Sequence, residues 1–215
     1  MLTDDRLRDF VARELGGEAP APGGGSAAAL AGAMAAALAG MVARLTLGRE
    51  KFAAAAVTMA DCLAASVPAM SRLLELVDLD AAAYDGVVAA RRLPRATDDE
   101  RRARAGAVAA ANARAAEVPA ETAALCLDVL RLVPRVLEAG NPAARSDAAV
   151  AGLLALAGLR GALCNVRINL DGLESGAAAA AARHADEMER EAAGIEPLVR
   201  ELSRGLLGGG GTRQA

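Results

Sequence analysis

Aromatic residues are almost missing from this chain of 215: there is no tryptophan, one tyrosine (Tyr84) and two phenylalanines (Phe10 and Phe52). Hydrophobic content nevertheless reaches 54%, so most of it is alanine, the best helix former. β-Branched residues are sparse, which argues against a sheet protein. Histidine occurs once, as His184 in the charged run His184-Ala-Asp-Glu-Met-Glu-Arg190, where a solvated face is expected. With one histidine and no clustered cysteines, no zinc spacing is present. No Walker loop and no Ser-His-Asp arrangement appears either. Cys62, Cys126 and Cys164 are odd in number and far apart, and they read as reduced core thiols of a cytosolic protein. Charge of one sign is lacking too. A net charge of −3 with both signs interspersed leaves no footprint for nucleic acid. The opening residues 1–10 are charged throughout, unlike a signal peptide.

Long uncharged runs stop just short of a membrane span. Residues 27–43 carry no charge but number 17, are mostly alanine, and end at Arg44; the apolar stretch 148–170 is broken by Arg160 and Arg167. Both read better as buried helices. The first of them follows Pro22-Gly23-Gly24-Gly25-Ser26, the stretch around which the chain is organised. Ser26 sits where an N-cap belongs, and free N–H groups at a glycine-rich helix start make a ready anion site. The same pentapeptide serves equally as a loop that caps a core helix. Gly32, Ala36 and Gly40 form a small-residue stripe for close helix packing.

The predicted order is all helical. A short helix over 5–14 precedes the loop, and the central helix runs over 26–47. Helices over 50–77 (with a kink at Pro68), 79–92, 97–117, 120–138, 146–170 and 175–207 follow. Thr97-Asp98-Asp99-Glu100 is a capping-box signature, and Ser146 is the expected cap of the helix it precedes. The result is one domain, residues 1–207, a bundle of long, Ala-rich antiparallel helices, with a disordered glycine-rich tail over 208–215. Helices faced with alanine bury little area each, so a homodimer is expected to add stability.

Polar residues inside these apolar helices are the candidates for chemistry. Asp80, Tyr84, Val87 and Arg91 follow i, i+4, i+7, i+11 and share a face, either a polar-ligand site or a half-exposed surface. Asn165 and Asn169, with Arg167 between them, sit near the end of a buried helix. They either satisfy backbone groups of a neighbouring segment or read hydrogen bonds on a ligand.

Taken together, Pro22-Gly-Gly-Gly-Ser26, Leu45-Thr-Leu-Gly-Arg49, Asp80-Ala-Ala-Ala-Tyr84 with Arg92-Leu-Pro94, Gly140-Asn-Pro142, Ser146-Asp147 and Asn165-Val-Arg-Ile-Asn-Leu170 resemble the cyclodeaminase/cyclohydrolase family. The resemblance covers residues 5–205. It implies a helical homodimer or higher homo-oligomer, with a tetrahydrofolate derivative bound near the glycine-rich loop. The implied reaction is the closure of 5-formiminotetrahydrofolate to 5,10-methenyltetrahydrofolate with loss of ammonia. The alternatives are hydrolysis of the methenyl compound to 10-formyltetrahydrofolate, or a folate-binding or structural dimer without catalysis. No metal and no cofactor beyond the folate substrate is expected, and a separate formiminotransferase is a possible partner. By resemblance, Asp147, Asp80 and Tyr84 move protons, and Gly23, Gly24, Gly25 and Ser26 approach the pterin or its bridging carbon. Asn165 and Asn169 bond the pterin edge, and Arg167 or Arg95 meets the glutamate tail. Arg95 stands where the family's lysine is expected, and Ala143 where an asparagine is.

Overall fold

Alanine helices pack only when their backbones come close, and the architecture follows from that. The computed structural model describes residues 6–173 and 175–207; the predicted tail over 208–215 lies outside them. A turn of helix α1 (Leu7–Asp9) runs into a π-helical segment (Phe10–Leu15), and α2 (Gly24–Thr46) follows the glycine-rich loop. A 3₁₀ segment (Glu50–Ala55) leads into α3 (Ala56–Arg91), then come α4 (Asp98–Ala139), a short 3₁₀ turn (Pro142–Ala144), α5 (Arg145–Leu170) and α6 (Gly176–Leu207). No strand occurs among the described residues. Helices α2 to α5 form an antiparallel four-helix bundle in which α2 and α4 lie diagonally opposite, and α6 packs outside against α5 and α4.

Helices α2 and α5 cross with their backbones in close contact. A Cβ on Gly158 would stand 2.8 Å from the Ala28 carbonyl oxygen and 3.1 Å from the Gly32 nitrogen, so only glycine lets these backbones meet. Around that crossing, Leu73, Leu76, Leu130, Leu159 and Leu163 are fully buried, each contributing about 1.5–3 kcal/mol by area. Gly24–Thr46, Glu50–Arg91 and Pro142–Leu170 are long and apolar enough to cross a membrane by length and composition. In the first and third, 61% and 56% of the apolar window is buried inside the bundle, as the sequence reading expected; in the second only 22% is. Cys62 and Cys126 are core thiols, and burial pushes Cys126 up to about 12. Cys164, in contrast, is exposed.

Two predicted breaks are absent. Helix α3 passes through Val77 and Asp78 without interruption, because neither glycine nor proline occurs there and Val77 is core. Helix α4 passes through Pro119. A mid-helix proline lacks the N–H that would bond the carbonyl four residues back, here Ala115. The Asn169 side-chain Nδ2 donates to that carbonyl at 3.0 Å, from α5. The neighbouring helix thus supplies the missing donor, and α4 continues. Asn169→Ala should cost about 1–3 kcal/mol by orphaning a buried carbonyl. In a Pro119→Ala background, where the helix regains its own N–H, the cost should largely vanish; equal costs in both backgrounds, from chemical denaturation, would refute the account.

The caps differ in part from expectation. Thr97 and Glu100 form the predicted box, with Glu100 N–H donating to the Thr97 hydroxyl at 3.2 Å and Thr97 N–H to the Glu100 carboxylate at 3.0 Å. Helix α5 starts at Arg145, so Ser146 lies inside its first turn and makes no cap. Gly140-Asn141-Pro142 turns the chain at one end of the bundle. There Asn141 N–H donates to Thr46 Oγ1 at 2.8 Å and its side chain to the Leu45 carbonyl at 3.3 Å, tying the α4–α5 turn to the end of α2.

Candidate functional site

At the opposite end of the bundle α2 begins, α5 ends, and α3 and α4 run on. A cleft of about 270 Å³ opens there, floored by Gly23, Gly24 and Gly25 and walled by Asp80, Tyr84, Val87 and Arg91 of α3. Asn112 and Ala115 of α4, Asn165, Ile168 and Asn169 of α5, and the Pro20-Ala21 loop complete it. All four members of the α3 stripe line the cleft, Val87 buried and Arg91 exposed.

Helix α2 starts at Gly24, two residues before the predicted cap, and Ser26 is fully buried in its first turn rather than capping it. No side chain of the loop caps α2. Asp80 of α3 takes that place. Its Oδ2 lies 3.0 Å from Ser26 Oγ, and the Ser26 backbone N–H also faces the carboxyl. Gly25 permits this: a Cβ there would be 2.1 Å from Asp80 Oδ1. The amides of Gly24 and Gly25 have no carbonyl a turn behind them in the helix and are free for a ligand.

Ser26 Oγ also lies 2.9 Å from the Val77 carbonyl oxygen. One hydroxyl hydrogen serves one acceptor at a time. When it goes to Val77, the contact with Asp80 is a hydrogen bond only if Asp80 carries the proton. Burial raises the Asp80 pKa; the Ser26 hydroxyl and N–H oppose that and only partly offset it. Asp80 is the one carboxyl lining the cleft among the described residues. Such an acid, half-buried at a helix N-terminus with a pKa shifted toward neutrality, is suited to hand protons to and fro.

The remaining walls divide by duty. Asn165 Nδ2 donates to the Gly161 carbonyl at 2.9 Å, and Asn169 Nδ2 is engaged by Ala115. Both asparagines satisfy backbone groups, the first of the two alternatives, and both also line the cleft. Among the described residues, the Tyr84 hydroxyl, the Asn112 amide and the Arg91 guanidinium have no hydrogen-bonding or ionic partner. Sequence reasoning passed over Asn112; its only signal is an asparagine inside an alanine run.

Four predicted site residues do not line the cleft: Ser26, fully buried and in contact with Asp80, and Asp147, Arg167 and Arg95. Asp147 is in the first turn of α5, 18 residues before Asn165 and so about 27 Å away along the helix. It takes no part in this cleft. Arg167 turns outward to Asp186 of α6, at 3.0 Å. Arg95 is exposed in the α3–α4 connection, with its carbonyl accepting from Arg101 at 3.2 Å. Neither arginine reaches the cleft walls.

Fold and site define an all-helical bundle protein with a polar cleft at one end, built on a glycine-started helix and one half-buried acid. Residues 6–189 match the formiminotransferase-cyclodeaminase family, and the chain belongs to it. It is 41% identical over 160 residues to a methenyltetrahydrofolate cyclohydrolase of Methylorubrum extorquens, covering 74% of this chain and 77% of that protein. To the formimidoyltransferase-cyclodeaminase of Mus musculus it is 36% identical over 169 residues, 79% of this chain but 31% of the longer protein. The crystal structure of formiminotetrahydrofolate cyclodeaminase from Thermotoga maritima superposes with a TM-score of 0.82 at 26% identity, over 96% of this chain and all of that one.

Proposed function

We propose that the cleft acts on the carbon that bridges N5 and N10 of tetrahydrofolate, as a methenyltetrahydrofolate cyclohydrolase. The observation that carries this reading is the Asp80 carboxyl, the one acid of the cleft among the described residues, held beside free helix amides. The methenyl carbon lies between two nitrogens and is already electrophilic. Water adds to it, the tetrahedral carbon then sheds N5, and N5 takes up a proton, leaving the formyl group on N10. Asp80 is the group to relay that proton. The amides of Gly24 and Gly25 would donate to the oxygen that gains charge. Tyr84 adds a free hydroxyl beside Asp80, and Asn165 offers its amide to the pterin edge.

The similarity to a cyclohydrolase over three quarters of both chains supports this order of preference, the reverse of the one that the sequence reading placed first. A second reading, formimino ring closure with ammonia leaving, has the likeness to the Thermotoga maritima cyclodeaminase in its favour. A carboxyl that holds its proton also suits a leaving amine. Absorbance of methenyltetrahydrofolate separates the two. Accelerated loss of that absorbance is expected for the cyclohydrolase; a rise from 5-formiminotetrahydrofolate with release of ammonia would transfer the assignment to the cyclodeaminase. Silence in both assays, from folded protein, would remove the catalytic reading.

A further inference from the structure

We propose that Arg91, at the outer end of the cleft, binds the carboxylates of the substrate's glutamate tail and sets the enzyme's preference for folates that carry one; this rests on the folate reading above. The cleft is graded along α3. Asp80 stands at its inner end against the α2 N-terminus, and Arg91 follows eleven residues later, about 16 Å along the helix. Between them Val87, Ala115 and Ile168 line the wall with apolar groups. A ligand whose reacting carbon meets Asp80 must therefore lay an apolar middle along that wall and present its far end to Arg91. Tetrahydrofolate has this order of parts: pterin and bridging nitrogens, a benzoyl ring, then two carboxylates.

The state of Arg91 supports the assignment. Arg72, Arg131, Arg160 and Arg167 each hold a carboxylate of a neighbouring helix within 3.0 Å and fasten α3, α4, α5 and α6 together. The Arg91 side chain has no such partner among the described residues, although it lines the cleft. Its backbone carbonyl accepts from Arg104 Nε at 3.0 Å, which pins the last turn of α3 and brings a second guanidinium alongside. A planar guanidinium matches a carboxylate through two parallel N–H donors. Arg95 and Arg167, the two arginines that the sequence suggested for the tail, are outside the cleft.

The test compares methenyltetrahydrofolate with an analogue in which an uncharged methylamide replaces the glutamate. Steady-state kinetics are read together with equilibrium binding of the corresponding tetrahydro compounds. Arg91→Ala should raise KM and Kd for the folate at least tenfold, with kcat changed less than threefold, and Arg91→Lys should recover part of the loss. On the methylamide, wild type and Arg91→Ala should be alike, and raising salt should weaken wild-type binding of the folate alone. Equal losses on both ligands would mark Arg91 as structural, and unchanged KM and Kd for the folate would overturn the proposal outright. Selective, Arg91-dependent binding without turnover would keep this inference and sink the catalytic reading. Turnover that is indifferent to Arg91→Ala would do the opposite, and absence of binding to either compound would end both.

Discussion

Asp80→Asn should lower kcat by a hundredfold or more while making the protein more stable at pH 8. General acid–base groups contribute about 10²–10⁴ in rate, and Asp80 is the one carboxyl lining the cleft among the described residues. The stability effect follows from the direction of its pKa. Burial raises the Asp80 pKa above its ordinary 3.8. Between 3.8 and the folded value, the native state retains a proton that the unfolded chain has released. Native stability therefore falls as pH rises through that window and stays reduced above it. Asparagine is neutral at every pH, and its carbonyl oxygen can accept from the Ser26 N–H as the carboxyl does. Its Nδ2 can donate to Ser26 Oγ while the Ser26 hydroxyl donates to Val77, from which it lies 2.9 Å. The D80N protein should accordingly melt above wild type at pH 8, with the gap closing toward pH 4. Thermal unfolding at several pH values, beside turnover of methenyltetrahydrofolate, reads both effects. A variant that keeps near-native turnover, or melts lower by the same amount at every pH, would remove Asp80 from its assigned role.

Gly25→Ala should be nearly as damaging to turnover, for a steric reason. The new Cβ would stand 2.1 Å from Asp80 Oδ1 and 2.5 Å from its Cγ, far inside van der Waals contact. The carboxyl must leave the α2 N-terminus, which loses its cap and moves the acid away from the reacting carbon. A displacement of about 1 Å at such a site commonly costs 10²-fold. Gly24→Ala is the control of position, since its Cβ would meet Asn165 Nδ2 at an ordinary 3.6 Å, and a much smaller loss is expected there. A thermodynamic cycle isolates the cause. The stability cost of Gly25→Ala should largely disappear in an Asp80→Ala background, where the obstructed carboxyl is gone. A cost that persists undiminished would mean that the alanine harms the loop itself and not its contact with Asp80.

Particular residues show what could be read early and what could not. The face shared by Asp80, Tyr84, Val87 and Arg91 was legible from 3.6-residue spacing, and all four line the cleft. Whether that face opened onto a cleft depended on α2 beginning and α5 ending beside it. Asn112 carried no local mark beyond its polarity. Its significance comes from α4 bringing it opposite α3. Asp147 was grouped with the site through family resemblance, yet it and Asn165 lie on one helix. Eighteen residues of helix hold them about 27 Å apart. That separation was available from the sequence once a single helix over 146–170 was drawn.

The sequence by itself determined the helical class, the Thr97 capping box and the burial of the run after the glycines, because these depend on neighbours within a turn or two. Alanine propensity, apolar periodicity and capping are all local quantities. Tertiary structure decided what local rules cannot: that α4 survives Pro119 because Asn169 lends it a donor from 54 positions away, and that Asp80 caps a helix begun 56 residues earlier. Both settle a backbone group or a charge through a contact between distant helices, and only the packed bundle specifies which distant side chain arrives.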